Sequence, residues 1–358
     1  MDRQVRDYHI FLFLTSFARG LVSVFSLIIL YQKGYSLQSL LFFLFLLYFI
    51  GIFVNIFSLL LPYRIVLILS SVFYGVSYLY LSFMDHSLFS LILFSFLLSI
   101  STYSYHVIRH YLALSLFSNS LTRTNGLVFV MHLGGIIASV MGTFLISKLP
   151  IYVSGLLILG LSILSVFSVF RGREDSFKNT SIDLFLVKMD LSTVLFSVFE
   201  QFKVLFLELQ PLFLYLCVKD SILYVGGLLL IVSISSLIIA YFIGKRMKVF
   251  YFFFFCCFLF VVLMVKIHFA NDILLLFLSF LEGIGIRGYD VISLNNLYDL
   301  GKNDVKSYLM VEEIIFFLTK SLLMGLFLVL RLRLYWILLI CNFGILVSGF
   351  FLHEKKAS

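Results

Sequence analysis

Charged residues are scarce in this sequence: Asp, Glu, Lys and Arg together make up only 12% of its 358 residues. An average water-soluble domain carries roughly 25% charged residues. Hydrophobic residues reach 62%, and the mean hydropathy is +1.12. So few polar residues cannot cover the surface of a globule in water, which excludes soluble and disordered proteins. The composition therefore predicts a protein that crosses a membrane several times.

Proline, cysteine and enzyme motifs are also scarce. Only three prolines occur, which leaves room for long uninterrupted helices. The four cysteines lie in apolar stretches without the spacing of metal ligands, so we interpret them as small hydrophobic residues. There is no glycine-rich phosphate loop and no His-Glu-x-x-His motif, and the loops are too short for a catalytic domain. We therefore expect no enzymatic activity, no cofactor and no metal site.

Polar clusters divide the chain into apolar segments of about 20 residues, the length that a transmembrane helix needs. We place twelve such segments at 9–30, 37–60, 65–83, 88–114, 126–147, 151–170, 190–216, 222–243, 249–267, 273–297, 308–329 and 334–352. We call these segments spans 1 to 12. The sequence thus predicts an all-α polytopic membrane protein of twelve transmembrane helices.

Basic residues between the spans predict the orientation in the membrane. The net charge of +8 could indicate a nucleic-acid partner, but most basic residues lie in short turns between apolar segments. Fifteen Lys and Arg residues lie on the side of the N-terminus, and six lie in the opposite turns. Because cytoplasmic loops carry the excess of Lys and Arg, we expect both termini in the cytoplasm. We expect a multi-pass protein of the plasma membrane with no nucleic-acid partner.

Two halves of six spans echo one another weakly. The run YHVI at 105–108 in span 4 matches YDVI at 289–292 in span 10, an offset of 184 residues. Lys33 after span 1 and Lys219 after span 7 differ by 186 positions. We therefore divide the chain into an N-terminal half, 1–170, a cytoplasmic linker, 171–189, a C-terminal half, 190–352, and a cytoplasmic tail, 353–358.

The loop after span 1, YQKGYS at 31–36, looks like the tyrosine and glycine-serine loop common between the first two helices of the major facilitator superfamily. The loop after span 8, GKRMK at 244–248, is similar to that family's basic glycine-containing loop, whereas the first copy, LPYR at 61–64, lacks Gly and Asp. The chain resembles this superfamily over its full length. The resemblance implies a transporter whose central cavity is lined by spans 1, 4, 7 and 10, with a substrate site at the midplane.

Four charged residues are predicted to lie near one level in the membrane. At a rise of about 1.5 Å per residue, Arg19 lies about 15 Å deep, Glu200 and Lys203 about 15 and 20 Å, and Glu282 about 13 Å. A charge at this depth requires a cavity or a partner. We expect these residues to bind substrate or couple transport, and their zero net charge favours a zwitterion or a protonatable amphiphile. Structural pairing, Glu200 with Lys203 and Arg19 with Glu282, is the alternative.

A second set of charged residues is predicted nearer the cytoplasm: His106 and Arg109 in span 4, and Arg287 and Asp290 in span 10. Each pair is three residues apart and shares a helix face. We interpret the set as an inner gate of salt bridges or, because histidine titrates near neutrality, as a proton relay. Lys320 in span 11 is expected to be peripheral.

Other features concern packing. Pro211 should bend the outer third of span 7. Tyr74, Tyr78, Tyr80 and Trp336 are typical of an aromatic belt at the membrane interface, and the phenylalanines at 252–255 should face lipid.

These observations predict a secondary transporter that works by alternating access. We expect a proton-coupled exporter of a small organic solute, because the resemblance to Phe-rich major facilitators implies efflux. One alternative is a translocase for lipids or lipid-linked sugars, with a cavity open sideways between spans 5 and 8. Another is a membrane scaffold or immunity protein whose charges only hold the helices together.

Overall fold

The computed structural model describes residues 3–116, 121–170, 190–217, 220–243, 250–268, 271–300 and 305–351. All regular secondary structure in these ranges is helical, which confirms the all-α prediction. The helices are α1 (Arg3–Gly20), α2 (Ser26–Gln32), α3 (Leu37–Leu60), α4 (Tyr63–Phe83), α5 (Leu88–Leu116), α6 (Leu121–Lys148), α7 (Ile151–Phe170), α8 (Leu191–Cys217), α9 (Ile222–Ile243), α10 (Phe250–His268), α11 (Asp272–Leu300), α12 (Val305–Val329) and α13 (Leu334–Ser348).

The helices follow the predicted spans closely. A short 3-10 helix, Ser23–Phe25, joins α1 to α2, so these elements form one rod and the described chain contains twelve rods. Helices α3, α7 and α9 coincide with the predicted spans 37–60, 151–170 and 222–243. Helix α6 begins at 121, five residues before the predicted span. Residues 122–125 of this helix are polar, and a helix continues through polar residues that hydropathy assigns to a loop.

The helices differ in how many charged residues they carry in their interiors. Within the described residues, seven helical rods are long and apolar enough to cross a membrane by length and composition. In contrast, α8, α11 and α12 each carry three charged residues in the interior of the helix, at least seven positions from either end. All three belong to the second six rods, so the chain concentrates its membrane-depth charge there.

The helices pack as two similar bundles. In the first bundle α1 packs against α6 and α7, α3 and α4 pack against α5, and α4 packs against α7. In the second bundle α8 packs against α12 and α13, α9 and α10 pack against α11, and α10 packs against α13. Each contact recurs six rods later, as the predicted two-half architecture requires. The boundaries 1–170 and 190–352 stay a prediction, and the segments 171–189 and 353–358 lie outside the described residues.

The two bundles meet along two seams, α3 against α12 and α6 against α9, and α2 also contacts α8. At the second seam the helices approach closely, since a Cβ atom on Gly226 would lie 2.1 Å from Thr143 Oγ1. Near the ends of α2 and α8, Gln32 Nε2 donates a hydrogen bond of 2.8 Å to the Tyr215 hydroxyl. We call this contact the Gln32–Tyr215 tie.

Three residues of the turn between α2 and α3 each have an identifiable structural role. Gly34 adopts a φ of +96°, a left-handed conformation that favours glycine. The Ser36 side chain accepts a hydrogen bond of 3.2 Å from the Ser39 N–H and caps α3. Tyr35 is buried and its hydroxyl donates a hydrogen bond of 2.8 Å to the Asp85 carbonyl, and this burial raises the pKa of the Tyr35 hydroxyl.

The phenylalanine run at 252–255 divides between two environments. Phe253 and Phe254 are exposed, as expected of side chains that face lipid, whereas Phe252 and Phe255 are buried. Consecutive helical residues point about 100° apart, so a four-residue run cannot keep to one face. The lipid-facing prediction is therefore wrong for half of the run.

Candidate substrate cavity

A cavity of about 500 Å³ lies between the two bundles. Its volume is within the range of roughly 300–1,000 Å³ typical of small-molecule sites. Apolar and aromatic residues form most of the wall, with a few charged groups among them. The lining residues are Arg19, Ser23, Val24, Ser26, Leu27, Phe43, Leu44, Leu47, Tyr74, Tyr78, Leu98 and Thr102 from the first bundle, and Lys203, Val204, Leu207, Glu208, Pro211 and Asp290 from the second.

The break in the first rod shapes one wall of the cavity. Helix α1 ends at Gly20, one residue after Arg19, and the Arg19 carbonyl accepts a hydrogen bond of 3.1 Å from the Tyr74 hydroxyl. Helix α6 lies directly behind the break, because a Cβ atom on Gly142 would lie 1.9 Å from the Leu21 carbonyl oxygen. A glycine and a tyrosine hydroxyl thus accommodate the backbone where regular helical bonding stops.

Arg19 is held by neutral groups. Its guanidinium donates hydrogen bonds to the carbonyl oxygens of Ser101 and Ser70, at 2.9 and 3.2 Å. The guanidinium carbon also lies 4.4 and 4.2 Å from the ring centroids of Tyr74 and Tyr105. Its Nε has no hydrogen-bond partner, and no carboxylate within the described residues forms an ion pair with it. Its charge is therefore fixed in position but not neutralised by a counter-ion.

Tyr74 and Tyr78, predicted for the interfacial belt, lie in this cavity and are almost completely buried. They are four residues apart on α4 and share one face, which packs against the broken rod. The Tyr78 hydroxyl is 2.7 Å from the Ser26 hydroxyl. The belt prediction is wrong for this pair, whereas Trp336 is 55% exposed. The four-residue spacing could have indicated a shared buried face.

Lys203 provides the positive charge of the opposite wall. Its Nζ lies 2.5 Å from Asp290 Oδ1 and 3.8 Å from Glu200 Oε1. It also lies 4.0 Å from the ring centroid of Tyr289. Glu200 itself accepts a hydrogen bond from the Ser293 hydroxyl. The structure therefore brings together two of the predicted midplane residues and Asp290, which the sequence assigned to the inner cluster.

Glu208, which the sequence analysis did not assign to the site, also lines the cavity. Its Oε2 is buried without a hydrogen-bond partner, and it interacts electrostatically with Lys320 on α12. Lys320 is 7% exposed, with its Nζ 4.7 Å from the Tyr48 ring of α3, so it lies at the seam between the bundles and not at the periphery. The signal for Glu208 in the sequence was a carboxylate five residues, or about one and a half helical turns, after Lys203 in the same span.

Glu282 lies away from the cavity. It is 1% exposed, pairs with Lys266 of α10 and accepts a hydrogen bond of 3.1 Å from Gln210 Nε2. Eight residues separate it from Asp290, which rotates its direction about the helix by about 80°. Lys266, in the last turn of α10, is likewise buried. The pairing of Arg19 with Glu282 is therefore absent from the described contacts.

The residues predicted as an inner gate separate into different environments. On α5, Arg109 Nη2 lies 3.3 Å from His106 Nδ1, and the Arg109 carbonyl accepts a hydrogen bond of 2.9 Å from the Tyr8 hydroxyl. On α11, Asp290 belongs to the cavity, whereas Arg287 is 1% exposed and none of its guanidinium nitrogens has a hydrogen-bond partner.

The architecture matches a solved structure along almost the whole chain. The human organic anion transporter MFSD10 (TETRAN) superposes with a TM-score of 0.68, covering 98% of each chain at 12% sequence identity. This chain has the major facilitator fold. At this identity the likeness concerns the fold alone. No family model matches the sequence, and no curated protein matches it by sequence.

Proposed function

We propose that this chain is a secondary transporter that moves a small organic solute across the plasma membrane by alternating access. One observation carries the proposal: charged groups from both bundles, Arg19 from one and Lys203, Glu208 and Asp290 from the other, line a single cavity. In a major facilitator fold, rocking of the bundles around such a cavity opens it to each side in turn. Both termini would lie in the cytoplasm, as the loop charges predict.

The solute that suits this cavity is amphiphilic or zwitterionic. The four charged lining residues sum to zero, while Leu27, Phe43 and Leu98 offer an apolar surface. The human structural neighbour is named an organic anion transporter. An anionic group bound by Arg19 agrees with that name and with the absence of a carboxylate partner for Arg19 among the described residues.

We propose export driven by protons, with Glu208 as the proton-binding group. Its Oε2 has no hydrogen-bond partner, and it faces the same cavity as Arg19. Protonation would remove its negative charge and change the affinity for a charged solute. A proton entering from outside could thus exchange for a solute leaving the cell.

The test is solute flux in proteoliposomes under an imposed pH gradient, with a panel of labelled zwitterions, organic acids and organic amines. We expect gradient-driven flux of at least one solute and alkalinisation of the acidic compartment as protons move. Glu208→Gln should retain substrate exchange but lose the response to the gradient. Absence of flux for every solute would overturn the transporter proposal.

The same vesicles test the alternatives. A lipid translocase would scramble labelled lipid, and a scaffold or immunity protein would move no solute. The close packing of α6 on α9 at Gly226 does not favour the sideways opening that a lipid translocase needs at this seam. Solute flux without lipid scrambling is therefore the expected result.

A further inference from the structure

Arg287 is a buried cation whose guanidinium makes no hydrogen bond to the part of the chain that the structure describes. It is 1% exposed, and Nε, Nη1 and Nη2 have no partner. A guanidinium in this condition is costly, because each donor has lost its water without a replacement. Such a group is stabilised whenever a carboxylate becomes free to pair with it. Asp290, three residues further along α11, interacts with it electrostatically.

Asp290 is already paired with another cation. Its Oδ1 lies 2.5 Å from Lys203 Nζ, and the same carboxylate also interacts electrostatically with Arg287. Lys203 and Asp290 both line the cavity, whereas Arg287 does not. Lys203 has a second carboxylate in reach, Glu200 at 3.8 Å, and rests on the Tyr289 ring. Lys203 can therefore give up Asp290 without losing all of its partners.

We propose that Asp290 occupies the position that an acidic group of the substrate takes, and that Arg287 is a positioning residue that receives Asp290 when the substrate binds. The acidic group would then lie between Lys203 and Arg19, one cation from each bundle. This inference rests on the proposed function and narrows its substrate to amphiphilic organic acids, including zwitterions with a free acid group.

The exchange adds one negative charge, that of the substrate, to a buried region that holds more cations than paired carboxylates. Before it, Lys203 is paired with Asp290, and the Arg287 guanidinium has no hydrogen bond to any described residue. After it, Asp290 is paired with Arg287, and the negative charge of the substrate is shared by Lys203 and Arg19. The substrate therefore supplies the counter-charge that Arg287 lacks. A neutral molecule of the same shape cannot, so binding should depend on the acid group.

The experiment is calorimetric binding to the purified full-length protein, with 4-phenylbutyrate as the acid and 4-phenylbutyramide as its neutral match. We expect the acid to bind and the amide to bind at least tenfold more weakly, the effect of losing one charged hydrogen bond. Arg19→Gln and Lys203→Gln should each weaken binding of the acid by about tenfold or more. Equal binding of acid and amide, or binding of neither, overturns the acid site.

A double-mutant cycle tests Arg287. Asp290→Asn removes the internal competitor and should tighten binding of the acid. In the protein with Asp290, Arg287→Gln should weaken binding of the acid by about tenfold. In the Asp290→Asn background it should leave binding unchanged, because there is then no carboxylate at position 290 for Arg287 to pair with. A purely structural role would weaken binding equally in both backgrounds, and that result would overturn the proposal.

Two controls keep the outcomes separate. Arg287→Lys preserves a charge that can receive Asp290 and should bind the acid within a few-fold of the parent protein, even if Arg287→Gln fails to fold. Thermal midpoints and gel filtration establish that each variant is folded. Flux of an amine or a neutral solute in proteoliposomes, without acid binding, would leave the transporter intact and reject only the acid site.

Discussion

At the scale of single residues, the two cations that line the cavity differ in how far their charges are neutralised. Lys203 has two carboxylates within 4 Å, whereas Arg19 is held by carbonyl oxygens and two tyrosine rings. Carbonyl oxygens and ring faces orient a guanidinium but leave most of its charge uncompensated. Arg19 is therefore the residue of the cavity best prepared to bind an anionic group.

Replacement of Arg19 by Gln should lower transport of the solute found in the flux panel by about tenfold or more, since a charged hydrogen bond is lost. Arg19→Lys keeps the charge but loses the planar group between Tyr74 and Tyr105, so it should restore part of the rate. Initial rates in proteoliposomes measure both. Arg333→Gln, in an exposed turn, is the matched control and should transport normally. Unchanged transport in Arg19→Gln would exclude a role for this charge.

At the scale of elements, the first rod is interrupted beside the cavity, between the lining residues Arg19 and Ser23. The interruption after Gly20 is compatible with membrane depth only because neighbouring groups contact the freed backbone. Tyr74 donates to the Arg19 carbonyl, and α6 presents Gly142 to Leu21. The position of Arg19 therefore depends on a helix more than 100 residues away in sequence.

A methyl group at position 142 should disturb this arrangement. Gly142→Ala places a Cβ atom 1.9 Å from the Leu21 carbonyl oxygen, and overpacking of this kind costs about 1–3 kcal/mol. We expect a lower thermal midpoint and weaker transport. Gly160→Ala is the matched control in α7, because nothing lies within 4 Å of its added Cβ. It should be neutral or stabilising, and an equal effect of both substitutions would contradict the close contact.

At the scale of the whole molecule, two bundles of six rods enclose the cavity and touch along a few lines. The α3–α12 and α6–α9 seams flank it, and the Gln32–Tyr215 tie joins the rods at one end. A motion that opens this end must break the tie, whereas a motion that opens the other end can preserve it. The presence of the Gln32–Tyr215 tie therefore indicates that the cavity is closed at this end.

Joining the tie covalently should arrest transport. Cysteines at positions 32 and 215, in a background without the native cysteines, can be linked by a short bifunctional maleimide. We expect linkage to abolish flux, because the bundles can no longer separate at that end. Each single-cysteine variant treated in the same way should keep its rate. Normal flux in fully linked protein would mean that this end does not open.

The seams should also hold separate halves together. Residues 1–180 and 181–358, co-expressed with a tag on one piece, should co-purify because α6–α9 and α3–α12 contacts survive the cut. Gly226→Leu in the second piece should reduce the yield of the pair, since its side chain meets Thr143. Gly227→Leu, with open space at its Cβ, is the control. Failure of the unmodified pieces to associate would contradict two independent bundles.

The sequence alone determined where most of the long apolar helices lie along the chain. The runs 37–60, 151–170 and 222–243 form helices at their predicted bounds. The length of an apolar run is a local property of the sequence, and it can therefore be predicted without knowledge of the tertiary structure. The rise per residue predicted a similar depth for Arg19 and Lys203. Their presence in a shared cavity agrees with that estimate.

Only the tertiary structure decided which way each side chain points and which partner it meets. Glu282 and Asp290 lie on one helix, yet the first pairs with Lys266 and the second faces the cavity. Tyr74 and Tyr78 are buried against the broken rod, and Lys320 lies at a seam. Rotation about a helix axis depends on neighbours far away in sequence, and an apolar chain offers no polar face by which to predict it.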